Sequence, residues 1–70
     1  MMFKKKYRFF ASDGMTVREE IVKLDISKFT NETAREMFIQ SEWNKWCSRK
    51  FESLENVTGG WEQARGLFAR

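Results

Sequence analysis

The sequence predicts a small α+β domain: an antiparallel β-hairpin packed on one main α-helix. Three observations carry that expectation. From Phe3 to Ala11 aromatic and basic residues alternate, with Phe3, Lys5, Tyr7 and Phe9 on one face and Lys4, Lys6, Arg8 and Phe10 on the other. Asp13-Gly14 follows, and Asp-Gly marks a hairpin because a type I′ turn needs positive φ at both central residues. Further on, Thr30 and Asn31 are competent N-caps, with Glu32 well placed in a first helical turn.

The return strand runs from Met15 to Ile26 and contains Val17, Ile21, Val22, Leu24 and Ile26, so the hairpin pairs residues 3–11 with 16–25. With Asp13 and Gly14 as the two turn residues, Phe10 faces Val17, Arg8 faces Glu19, Tyr7 faces Glu20, Lys5 faces Val22 and Phe3 faces Leu24. A one-residue slip would set Arg8 against Arg18, which repulsion disfavours. The expected register has its own defect, since it sets Lys4 against Lys23.

The helix is expected from about residue 31 to 50, ending on Arg49 and Lys50. A capping box at Thr33-Ala34-Arg35-Glu36 offers a later start. Continuation to Asn56 would give a rod of roughly 39 Å at ~1.5 Å per residue. That is too long for so small a domain, so a break near Ser48–Ser53 is expected. Successive steps of ~100° group Ile39, Trp43, Trp46, Cys47, Leu54 and Val57 on one side, and leave Ala34, Met37 and Phe38 largely opposite. Gly59-Gly60 reads as a stop. Trp61 to Phe68 then fits either a short helix or a short third edge strand, which would make the order ββαβ. The expected core is Phe3, Tyr7, Phe9, Val22, Leu24, Ile39, Trp43, Trp46 and Cys47.

Seventy residues make one domain, 1–70, with seven Phe, three Trp and one Tyr to fill its core. So short a chain buries only about 60% of its unfolded surface, and no disulfide can form within it. The chain has no histidine and one cysteine, Cys47. Histidine is the usual general base and transition-metal ligand, so no Ser–His or Cys–His pair and no zinc set is available. Glu19 and Glu20, adjacent on a strand, point to opposite faces and cannot act as an acid–base pair. The expectation is therefore a protein that is not an enzyme, with no cofactor and no metal. Net charge is +3 and the isoelectric point near 9.3, which is mildly basic. The lone cysteine, and the lack of an apolar run after Met1 or of any ~18-residue apolar stretch, indicate a cytoplasmic protein with no membrane segment.

Two surfaces are candidates for binding. Met37 and Phe38 are left off the core stripe unless Phe29 folds over them, and Trp61 follows the glycine pair as either an anchor or a hot spot. These three are the candidate partner contacts, for another protein or in a homodimer. A homodimer would form through Met37 and Phe38 or by edge pairing of the C-terminal segment. Lys4, Lys6, Arg8 and Lys23 line one strand face and are the candidate phosphate contacts if the partner is nucleic acid. The other reading of that row is a solvated face that protects the sheet edge.

The order of elements resembles that of small uncharacterised proteins of tailed phages and prophages. The resemblance lies in the basic-aromatic first strand Lys5-Lys6-Tyr7-Arg8-Phe9, the turn Ser12-Asp13-Gly14-Met15, a second strand, a Trp-bearing helix, and the tail Gly60-Trp61-Glu62. After Glu62 the chain departs from that pattern, since Gln63-Ala64-Arg65-Gly66 lacks its apolar residues. The resemblance implies a setting: a phage accessory protein that binds and redirects a factor in the cytoplasm of a bacterial host.

Overall fold

A computed structural model describes residues 4–64. The elements are β1 (Lys4–Ser12), β2 (Val17–Asp25), α1 (Glu32–Lys50) and β3 (Thr58–Gln63). The strands form one antiparallel sheet in the order β2-β1-β3, so the basic-aromatic strand is central. This is the expected α+β fold with its third strand. That strand starts at Thr58 rather than Trp61, and the expected continuation over 65–68 lies outside the described residues, as does Phe3.

Side chains on a strand alternate between faces, and β1 shows it plainly. Tyr7, Phe9 and Ala11 are buried beneath α1, while Lys6, Arg8 and Phe10 between them stay half-buried on the open face. The hairpin register differs from the expected one. Phe10 faces Glu19 instead of Val17, a shift of two residues (19 − 17), with Ser12 opposite Val17. A shift of two leaves every side chain on its expected face, because the period of a strand is two. The cause is the turn. Asp13 Oδ1 accepts the backbone N–H of Met15 at 2.9 Å and of Thr16 at 2.8 Å. This side-chain cap closes the longer loop Asp13–Thr16 in place of a two-residue turn. Gly14 supplies the one positive φ there, at 94°. The shift moves Lys4 from Lys23 to Asp25, and sets Lys23 opposite Lys6.

Asn31, not Thr30, is the N-cap of α1: its Oδ1 accepts the N–H of Ala34 at 3.1 Å. The helix stops at Lys50 because Phe51 turns extended and sends its ring into the core, where it is buried. Leu54, placed on the helical stripe by the sequence, lies beyond this stop and is exposed. Trp46, Phe9 and Cys47 are the most completely buried large side chains, and the Phe9 and Trp46 rings meet edge to face at 5.7 Å. Each such aromatic contributes about 2–3 kcal/mol through burial. Leu24, Ile26, Ile39 and Phe51 complete the buried centre. Val22 and Trp43, expected there, are half-buried at its margin; the Trp43 Nε1–H donates to the Phe10 carbonyl at 3.2 Å.

Gly59 and Gly60 do not stop the helix; they sit inside β3, paired with Ala11 and Phe10. Gly59 has φ 155° and crosses β1 so closely that a Cβ would lie against the Phe10 carbonyl oxygen and 2.6 Å from Ala11 Cα. Only glycine lets β3 approach the central strand at that point.

Candidate binding surfaces

The helix covers one face of the sheet and leaves the other open. Opposed residues of an antiparallel pair share a face. The open face therefore carries Lys4, Lys6, Arg8 and Phe10 of β1, Val17, Glu19, Ile21 and Lys23 of β2, and Glu62 of β3.

Arg8 is its centre. Its guanidinium lies 4.3 Å from the centroid of the Phe10 ring. Nε donates to Glu62 Oε2 at 2.8 Å and Nη1 to Glu19 Oε2 at 2.6 Å. One side chain thus ties all three strands together and covers an aromatic ring. The two carboxylates, Glu62 first, push the Arg8 pKa further up. The expected Arg8–Glu19 pairing is realised diagonally rather than directly across, which is within reach of long side chains.

The four candidate phosphate contacts therefore differ. Arg8 has its charge directed at two carboxylates. Lys4 stands opposite Asp25, whose own carboxylate is held low in pKa by Ser27 and by nearby lysines. Lys6 and Lys23 stand directly opposite each other, a like-charge pair on one face.

Beside these charges the outer strand exposes apolar surface. Val17 is 75% exposed and Ile21 40%, and Met15 in the preceding loop is 93% exposed. Sequence reasoning assigned none of these to a site, although alternation already placed Val17 and Ile21 off the core face.

The candidate partner contacts Met37, Phe38 and Trp61 do not form one patch. Met37 is 68% exposed on the outer side of α1. Phe38 is covered by Phe29, ring centroids 4.9 Å apart, with Lys28 Nζ 5.4 Å from the Phe29 ring. Trp61 packs edge to face on Tyr7 at 6.1 Å, and its Nε1–H donates to Gln40 Oε1 at 3.1 Å. It anchors β3 on the hairpin and the helix, beside Tyr7.

The buried face offers little chemistry. Burial pushes the Cys47 thiol up in pKa, which suppresses the thiolate a nucleophile needs. Burial also raises the Tyr7 phenol, against the lowering effect of Arg35. A cavity of about 150 Å3 next to Tyr7, Arg35 and Trp61 is flanked by Glu32 and Glu36, a poor setting for an anion. A wider groove of about 350 Å3 runs from Met15 and Arg18 to Lys50 and Phe51 and mixes both signs of charge, with Asp13 and Glu52 on its walls. Among the described residues no helix is long and apolar enough to cross a membrane, and no three His, Cys, Asp or Glu side chains group as metal ligands. No known protein family, curated protein or solved structure matches the chain.

Proposed function

We propose that this domain is a non-enzymatic binding protein that docks on another protein through the open face of its sheet. The setting is that of a phage-type accessory protein in the bacterial cytoplasm, acting on a host defence nuclease or on the transcription or replication machinery. One observation carries the choice of surface: Val17 and Ile21 are exposed on the same face as the charged side chains of Arg8, Glu19 and Lys23. Exposed apolar side chains next to oriented charges give a face that a protein partner can bury in part and pair in part. Phe38 and Trp61 are engaged inside the domain, which leaves Met37 as the exposed one of the three candidate contacts.

The runner-up is nucleic-acid binding along Lys4, Lys6, Arg8 and Lys23, favoured by the direct opposition of Lys6 and Lys23. The bridging of Arg8 by Glu19 and Glu62 weighs against it, since a phosphate would have to displace two carboxylates. Capture of partners from host lysate, with and without nuclease, separates the two. A partner that survives nuclease and is lost with Val17→Glu supports the protein interface. One lost on nuclease treatment supports the runner-up.

A further inference from the structure

We infer that β2 pairs with β2 of a second copy of this chain, antiparallel, about a two-fold axis at Ile21. This goes beyond the binding reading and does not depend on it, because it rests on the edge backbone of β2 and the charge order along that strand.

β2 is an outer strand of nine residues, with β1 as its one ladder partner among the described residues. An outer strand presents unpaired backbone N–H and C=O groups that accept another strand. A two-fold axis perpendicular to the sheet must pair residues of the same face, so it passes through one residue and its own copy. That requirement leaves few registers, and the charges of β2 choose among them. An axis on Glu19, Glu20 or Lys23 sets a charge against itself. An axis on Val22 sets Glu19 against Asp25. An axis on Ile21 sets Glu19 against Lys23 twice, Glu20 against Val22, Arg18 against Leu24 and Val17 against Asp25. It is the one long register without a like-charge pair, and it buries an apolar residue on itself at the centre.

The side chains suit that arrangement. Ile21 is 40% exposed on the open face, where the copy would cover it. Glu19 is 56% exposed while already holding Arg8, so Lys23 of the second copy would complete a chain of alternating charge. Lys23 would gain a carboxylate that offsets the like charge of Lys6 opposite it in its own sheet. The product is a continuous sheet with both helices on one side and both open faces on the other.

Sedimentation of the full chain across roughly 1–100 μM, the range of a modest interface, should show a dimer. Glu19→Lys and Lys23→Glu, each alone, turn two attractive pairs into two repulsive ones and should weaken it about tenfold or more. An equimolar mixture of the two variants restores opposite charges at both positions, and should dimerise like the parent. Both positions are exposed, and melting of each variant checks its fold. As a second readout on the unaltered chain, alternate β2 amides should exchange more slowly as concentration rises. A monomer throughout, a dimer indifferent to both reversals, or a mixture that fails to re-form it would overturn the inference.

Discussion

Trp46 and Glu20 fasten the helix to the sheet through one hydrogen bond: the indole Nε1–H donates to Glu20 Oε1 at 2.9 Å. Lys50 Nζ lies 3.3 Å from the same oxygen. The bond from Trp46, then that from Lys50, holds the Glu20 carboxyl below its ordinary pKa of 4.5. Glu19, the next residue, points to the opposite face and holds Arg8. Two adjacent glutamates thus organise the two sides of the sheet.

The first prediction concerns acid. Because the folded pKa of Glu20 is depressed, its contribution is whole above the ordinary value of 4.5 and is lost as pH falls through the lower folded value. Asp13 is shifted the same way, chiefly by the backbone N–H of Thr16, and Asp25 chiefly by Ser27. Melting temperature should therefore hold from neutrality down to the ordinary carboxylate range and drop below it. In Glu20→Gln, which keeps an acceptor for Trp46, the acid drop should be shallower. Equal drops in both proteins would remove Glu20 from the account.

A second prediction rests on the glycines. Gly59→Ala forces a Cβ against the Phe10 carbonyl and Ala11 Cα, and should cost about 1–3 kcal/mol by overpacking while loosening β3. Gly14→Ala meets nothing within 4 Å and should cost only the backbone strain of its positive φ, about 1 kcal/mol. Denaturant melts of the two variants give the order directly.

Much of this fold was legible because it follows from period and capping. Alternation in β1 and the Asn31 cap placed the hairpin faces and the helix start. The register was not legible: Asp-Gly signals a two-residue turn, and only the geometry of the Asp13 carboxylate against Met15 and Thr16 selects the longer loop. The glycine pair misled for a similar reason, since glycine marks both chain stops and close strand crossings, and the sequence does not distinguish them. The helix end at Lys50 was legible from Arg49 and Lys50, whereas the burial of Phe51 just beyond it is a tertiary effect with no local signal. Of the candidate site, the lysines and Arg8 were visible. The bridging of Arg8 by Glu62 was not, because it needs β3 beside β1.

The third prediction compares tryptophans. Trp46 is 2% exposed and Trp61 only half-buried. Trp46→Ala should cost about 3–5 kcal/mol, and Trp61→Ala about 2 kcal/mol, as large-to-small changes scale with burial. If Trp61→Ala melts like the parent, Trp61 is not an anchor.

Salt supplies a fourth prediction. An apolar docking face should hold its partner nearly unchanged as salt rises, whereas phosphate contacts lower log affinity by roughly 0.7–0.9 per contact for each decade of salt. Lys4→Gln with Lys6→Gln, which spares the Lys23 of the docking face, should leave partner affinity within a few-fold. A steep salt slope that flattens in the double variant would transfer the site to the basic row.

The most direct test of the open face as a protein-binding site is quantitative capture from nuclease-treated host lysate by the parent, Val17→Glu and Met37→Glu. The account predicts one protein retained by the parent and by Met37→Glu, and lost by Val17→Glu while that variant melts like the parent. Loss with Met37→Glu and retention with Val17→Glu would contradict it, and would move the interface to the helix.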